Sequence, residues 1–317
     1  MWIELAPLQG ITDAAFRRLH AARFPGVNCY MTPFLSPTAG GLTRKEIADV
    51  LPENNSGVAL VPQVLAARAD HFLEVARMLS DLGYSEVNLN LGCPSGTVTA
   101  KGKGAGMLSS CSRLELFLDE IFAASPLRIS IKTRLGYTAV GEFDRLMEIY
   151  RNYPLLRLIV HARTRAQQYS GHPFPEAVLP HLEGSPFPLF YNGDLFDAPA
   201  CRRFCASFPG FAGIMVGRGL IANPALAREV RGGAPLCLDD LSGFHQELLD
   251  EVLTRYDRHA ALGRMREIGK YMASCFASPR KPLKAIRKAR LLEEYLDAFH
   301  SMLDTCSLRE HPGFAET

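Results

Sequence analysis

Residues 88–96 read NLNLGCPSG, an alternating run that ends in a cysteine held between a glycine and a proline. A thiol in that setting has five candidate roles: packing, metal ligation, half of a disulfide, a nucleophile or an acid. Other polar groups end apolar runs in the same way. Gln63 closes VALVPQ, Lys132 and Arg134 follow Ile129-Ser130-Ile131, and His161 and Arg163 follow Leu158-Ile159-Val160. Pro7-Leu8-Gln9-Gly10, Thr32, Asn192-Gly193-Asp194 and Gly217-Arg218-Gly219 stand at further run ends. Each has a bland reading of its own: a satisfied core amide, an exposed strand end, a hydrogen-bonded core histidine, a turn. Unpartnered burial of such a group costs about 1–3 kcal/mol, so their recurrence at run after run is hard to explain by packing.

The elements that carry these groups recur. Short β-branched or aliphatic runs at 3–6, 27–31, 58–63, 86–90, 128–132, 157–161, 189–192 and 213–216 read as strands. Stretches of three-and-four apolar spacing lie between them, clearest at 13–24, 69–82, 113–124, 143–152 and 198–208. Eight strand-helix units predict a (β/α)8 TIM barrel, with a doubly wound open sheet as the competitor. After Ala222-Asn223-Pro224 the strand signal stops, and helices are expected at 241–261, 265–277 and 282–303. The predicted organisation is a catalytic barrel over 1–235 and a small helical domain over 236–317.

In a barrel, functional groups come from the C-terminal ends of strands and the loops after them, where all the residues above fall. Glycine-rich loops after strands seven and eight suit a phosphate, because backbone N–H groups can approach its oxygens and Arg218 can add a charged contact. A phosphate there, with Gln63, Lys132 and His161 over the barrel axis, suits flavin mononucleotide. Gln63 can read the N3/O4 edge of the ring, and Lys132 can supply a cation near N1/O2. No GxGxxG follows a strand, which disfavours a Rossmann-bound dinucleotide.

Bulk composition narrows the setting. The 317 residues are 47% hydrophobic and 21% charged, values of an ordinary globular chain. No apolar run reaches the roughly 18 residues of a membrane span. MWIELAPLQG enters strand-like sequence without a basic leader, so a cytoplasmic protein is expected. A monomer is expected as well. Eight cysteines at 29, 93, 111, 201, 205, 237, 275 and 306 form no CxxC pair, so neither a metal site nor a disulfide framework is expected. The net charge is only +2, but its distribution is uneven. Eleven basic residues lie between Thr254 and Arg290 against two acids, Asp257 and Glu267. Such a run is often a solvated face. Here it is read as a surface for a phosphate backbone, centred on Arg280, Lys281, Lys284, Arg287, Lys288 and Arg290.

Six segments together resemble the tRNA-dihydrouridine synthases: LAPLQGITDAAFR (5–17), NLNLGCPSGTVTAKGKGAGML (88–108), IKTRLG (131–136), VHARTRAQQYSG (160–171), YNGD (191–194) and MVGRG (215–219). They are spread over residues 3–220 in that family's order. The resemblance implies an FMN enzyme that reduces the C5–C6 double bond of particular uridines in tRNA, with NADPH as electron donor. It implies hydride delivery from flavin N5 to C6 and a proton from Cys93 to C5. Pro7, Leu8, Gln9, Gln63, Lys132, His161, Asn192, Gly193, Asp194, Gly217 and Arg218 would hold the cofactor. Asn90 would face flavin and uracil, and Arg134, Arg163 and Tyr169 would stand on the substrate side. Leu8, Pro33, Val64-Leu65-Ala66 and Ala162 depart from that family's usual residues without removing an expected chemical group.

The chemistry asks for such a thiol. An enolate formed by hydride addition needs a proton, and a thiol with a reference pKa of roughly 8.5 still carries one at neutral pH. No further thiols or histidines for a metal, and no adjacent base for a nucleophile, stand beside Cys93. Two other functions fit parts of the pattern: an FMN barrel acting on a free pyrimidine, similar to a dihydroorotate dehydrogenase, and a tRNA-binding protein without catalysis. The loop Lys101-Gly102-Lys103-Gly104 is expected either to contact RNA or to close over the site.

Overall fold

The computed structural model describes residues 1–315. Nine parallel strand segments follow one another around a closed barrel. They are β1 (Trp2–Leu5), β2 (Cys29–Met31), β3 (Leu60–Val61), β4 (Gln63–Val64), β5 (Glu86–Leu91), β6 (Arg128–Gly136), β7 (Leu158–Thr164), β8 (Leu189–Asn192) and β9 (Gly213–Val216). The ring contains eight strand positions, because β3 and β4 are one strand interrupted at Pro62. β3 pairs with β2 and β4 pairs with β5. Proline has no N–H to give a ladder, but its carbonyl accepts from Asn88 N at 2.8 Å. Gln63 N, just past the break, turns to Thr32 Oγ1 at 2.9 Å. The break thus seats the Gln63 side chain in the barrel.

Around the barrel run α1 (Ala14–Arg23), α2 (Arg44–Val50), α3 (Ala69–Asp81), α4 (Gly96–Thr99), α5 (Cys111–Ala124), α6 (Glu142–Tyr150), α7 (Ala198–Ser207), α8 (Arg218–Ala222) and α9 (Leu226–Val230). Side-chain alternation divides the barrel interior. Ala6, Cys29, Met31, Val61, Ile159, Phe190 and Met215 form an apolar cluster inside it. β5 and β6 do the reverse: Val87, Leu89, Ile129 and Ile131 join the outer core, while Glu86, Asn88, Asn90, Ser130 and Lys132 alternate with them. At the floor, Arg157 Nε lies 2.9 Å from Glu4 Oε1 and Arg157 NH1 lies 2.9 Å from Glu86 Oε2.

One of the helices that eight strand-helix units would require is absent. Between β7 and β8 the chain makes two short 3-10 turns, Pro175–Ala177 and Leu179–His181. Pro173, Pro175 and Pro180 deny that stretch the N–H groups an α-helix needs.

The C-terminal helices are α10 (Leu238–Arg255), α11 (Arg258–Ala273), α12 (Arg280–Lys288) and α13 (Leu292–Thr305). The expected helix over 241–261 breaks at Tyr256-Asp257, where the Asp257 carboxylate caps α11 by accepting from Ala260 N at 2.9 Å. The expected helix over 282–303 breaks after Lys288, where Glu294 accepts from Arg290 N at 2.8 Å. These helices share a core with the barrel's outer layer: Phe244 of α10 meets Phe16 of α1 and Phe24, which caps α1, edge-on, with ring centroids 5.4 Å apart in both pairs. Beyond α13 the chain returns to the barrel, with Phe314 N donating to Phe196 O at 3.3 Å. No helix among the described residues is long and apolar enough to cross a membrane.

Candidate active site

The C-terminal ends of the strands surround a cavity of about 440 Å³. Its floor and walls are Gln63, Asn90, Lys132, His161 and Asn192, each from a different strand. The first loop contributes Pro7, Leu8 and Gln9, and the last two contribute Gly193, Asp194, Gly217 and Arg218. Cys93 sits at the rim, partly exposed.

The backbone holds that thiol closely. Asn90 Oδ1 accepts from Gly92 N at 3.0 Å and from Cys93 N at 2.9 Å, and Arg134 Nε donates to Gly92 O at 2.7 Å. From behind, Ala105 N donates to Cys93 O at 3.1 Å. Gly104 has φ +55°, and a Cβ there would come within 2.9 Å of Cys93 O, so only glycine lets the loop pack this close. Lys103 is tied to Ser36 Oγ at 3.1 Å and Pro37 O at 3.2 Å. The 101–106 loop is therefore the support of Cys93. Gln63 bridges two asparagines: Nε2 donates to Asn88 Oδ1 and Oε1 accepts from Asn90 Nδ2, both at 2.7 Å.

Across the cavity, Lys132 Nζ donates to Asn192 Oδ1 at 2.8 Å. Burial, then the neighbouring Arg134, lower its pKa to about 7. Burial and the cations Arg134, Lys132, Arg163 and Arg218 hold His161 well below the usual imidazole range, so its ring is neutral. Asp194 binds two guanidinium groups: Arg163 NH2 at 2.5 Å from Oδ2 and Arg218 NH2 at 2.9 Å from Oδ1. Three rings surround the Arg218 guanidinium, those of Tyr169, Phe196 and Phe314, at 5.5, 4.9 and 4.8 Å.

Residues 4–305 match the family model described as "Dihydrouridine synthase (Dus)". The chain belongs to the dihydrouridine synthase family. The "tRNA-dihydrouridine(16) synthase" of Pseudomonas putida is 28% identical over 281 residues, covering 84% of this chain and 86% of that protein. The "Probable tRNA-dihydrouridine synthase" of Rhodobacter capsulatus is 29% identical over 291 residues and covers 87% of each. Among solved structures, morphinone reductase superposes with a TM-score of 0.53 at 14% identity, covering 77% of this chain and 88% of that one, a likeness of fold alone.

Within this dihydrouridine synthase several of the expected site residues are engaged by partners inside the protein. Arg134 and Arg163 are each 1% exposed. Arg134 donates to the carbonyls of Gly92, Thr164 and Gln168, and Arg163 to those of Ser170 and Gly171 as well as to Asp194. They brace loops beneath the rim, and Arg134 also lines the cavity. Tyr169, 56% exposed, does stand at the mouth. The basic run also narrows. Arg264 donates to Gly10 O and Ile11 O at 2.9 Å, latching α11 to the first loop. Arg255, Arg258 and Lys270 pair with Glu251, Glu293 and Glu267, and Arg266 donates to Ala289 O. Arg280, Lys281, Lys284, Arg287, Lys288 and Arg290, on α12 and just past its end, are exposed, as Arg255 and Arg258 are, and α12 is anchored by buried Pro282, Leu283 and Ile286. Phe34, Phe196, Glu267 and Tyr271 also line the cavity, unanticipated from sequence. Glu267 and Tyr271 are one turn apart on α11, and no local pattern sets them off from an ordinary amphipathic helix.

Proposed function

We propose that this protein reduces a uridine of tRNA to 5,6-dihydrouridine with bound FMN, which NADPH re-reduces. The observation that carries the reading is the convergence of Cys93, Asn90, Gln63, Lys132 and His161 on one cavity in a member of this family. The cavity suits the cofactor. Lys132 is a half-buried amine with a side-chain acceptor on one side and the cavity on the other. Gly193, Gly217 and Arg218 would take the phosphate. Asp194 is a carboxylate and would act through the arginines it orients. Pro7, Leu8 and Gln9 would flank the ring, Gln63 would offer its remaining acceptor lone pair, and neutral His161 could bond without adding charge.

When bound, the reduced flavin supplies the hydride for one carbon of the uracil double bond. The chain's own part is to hold the base and give a proton to the other carbon. Cys93 carries that proton at the rim, and its partial exposure allows reprotonation from water. The base has to leave a folded RNA to arrive there, so the RNA needs a cationic seat outside the cavity, which α12 provides.

The test is turnover of tRNA lacking the modification. NADPH oxidation should match dihydrouridine formed, and free uracil or orotate should not be consumed. Lys284→Glu with Arg287→Glu should raise KM for tRNA about 10-fold, leave kcat near its original value, and reduce the salt slope of binding by about two. Turnover of a free pyrimidine, or unchanged tRNA affinity in the α12 variant, would count against the reading.

Lys132 gives a second prediction. At pH 8 it is mostly neutral, since its pKa is about 7. An electron-rich partner beside it raises that value, so FMN binding should take up a fraction of a proton. Calorimetry in buffers of different ionisation enthalpy reads this directly. The buffer dependence should vanish in Lys132→Met, and its persistence there would place the proton elsewhere.

A further inference from the structure

A line of side chains runs from the barrel floor to the active-site rim, and its two ends have fixed polarity. At the rim, Gly92 N and Cys93 N can only donate, so Asn90 must present Oδ1 to them. Its Nδ2 then faces Gln63 and requires Oε1 there, at 2.7 Å. Gln63 Nε2 must in turn meet an acceptor, Asn88 Oδ1, at 2.7 Å. Asn88 Nδ2 donates to Ser130 Oγ at 2.9 Å, and Ser130 donates its hydroxyl proton to Glu86 Oε1 at 2.6 Å. The other oxygen of Glu86 is paired with Arg157. An ion-paired carboxylate has only acceptors to offer, so the floor end is fixed as well. Three amides lie between the ends, and a single orientation of all three satisfies both.

We propose that Glu86, Ser130 and Asn88 are positioning residues for the Cys93 loop: they set the polarity of the Gln63 and Asn90 amides, and so keep Asn90 Oδ1 on the backbone that carries the thiol. None of the three lines the cavity itself; Asn88 acts through Gln63, and Ser130 and Glu86 act through Asn88. Without the Ser130 hydroxyl, Asn88 Nδ2 loses its acceptor and nothing at the floor opposes rotation of the amides. In the flipped arrangement an Asn90 NH2 group faces two backbone N–H donors, which leaves both unbonded. Buried networks that are only partly satisfied lose their geometry in this way.

The direct readout is hydrogen exchange of the Gly92 and Cys93 amides, followed by NMR on the protein without cofactor or tRNA. Ser130→Ala should speed exchange at both by about 10-fold, the loss of one hydrogen bond each, while the β5 and β6 ladder amides keep their rates. Ser130→Thr retains the hydroxyl and should restore protection. Asn88→Leu interrupts the line at another point and should give the same pattern. Asn90→Ala sets the upper limit of the effect. Original rates in both Ser130→Ala and Asn88→Leu, beside fast exchange in Asn90→Ala, would overturn the proposal. So would uniform acceleration along β5 and β6, the mark of a purely structural role. The consequence for catalysis rests on the proposed role of Cys93. In Ser130→Ala, kcat for tRNA should fall about 10-fold with KM unchanged. Exchange that responds while kcat does not would leave the positioning intact and remove Cys93 from the reaction.

Discussion

Cys93→Ala is expected to bind FMN and to oxidise NADPH at close to the original rate, yet to form dihydrouridine about 10²–10⁴-fold more slowly, the usual worth of a positioned acid. The thiol stands at the rim on a loop held through its backbone: Asn90 accepts from the Cys93 amide, Arg134 donates to Gly92 O and the Ala105 amide donates to Cys93 O. Removing Sγ therefore leaves the loop's hydrogen bonds in place. The Lys132–Asn192 hydrogen bond across the cavity does not involve Sγ. The loss should appear in kcat with KM for tRNA nearly constant, because an acid used only in the reaction adds little to ground-state binding. Cys93→Ser separates acid strength from geometry. A hydroxyl occupies the same place but parts with its proton far less readily, so partial recovery at most is expected. Mass spectrometry of dihydrouridine per tRNA under single turnover, with flavin oxidation followed in parallel, measures both halves. Dihydrouridine formation by Cys93→Ala at the original rate would end the assignment of Cys93 as the acid.

Much of this site is written in the alternation of two strands. In EVNLNL and RISIKTRL every second residue is polar, and the apolar partners form the outer core. An ordinary barrel strand fills the interior with aliphatic groups, so this inversion marks where the interior does chemistry. Pro62 could be read as a strand break, but its use, leaving Gln63 beside Thr32, depends on pairings that only the closed ring creates. The missing helix after β7 follows from three prolines in eight residues, whereas the segment's length alone suggests a full unit. Charge misled in the opposite direction. Arg264 and Arg266 lie in the same basic run as Lys284, and only tertiary contacts show that their guanidinium groups are spent on carbonyls. The same limit applies to Phe314, which reaches Arg218 after the chain has passed through five further helices, α9 to α13.

Arg157→Leu should destabilise the fold by about 3–5 kcal/mol, the cost of breaking a buried ion pair by removing one partner. Arg157 is 8% exposed and stands between Glu4 and Glu86 on the barrel floor, with Cys29 Sγ 3.8 Å from its NH2. Glu4 is fully buried, and desolvation outweighs the lowering effect of Arg157, pushing its pKa up from 4.5 to about 7. A carboxyl whose folded value lies above its unfolded one stabilises fully below the unfolded value, and that contribution is lost as pH rises through the folded one. Removing Arg157 deletes the main group that lowers the Glu4 value, so the window of loss extends to higher pH. At pH 6 Glu4 can take a proton and escape much of the penalty. At pH 8.5 the variant must either bury a carboxylate with no cation or hold a proton against the solvent. The destabilisation measured by urea titration should therefore be larger at pH 8.5 than at pH 6, and Glu4→Gln in the Arg157→Leu background should recover part of it at the higher pH only. A small cost that does not change with pH would mean that water reaches the floor and that the pair is screened. Glu86 would then be a weaker anchor for the line of side chains that ends at Cys93.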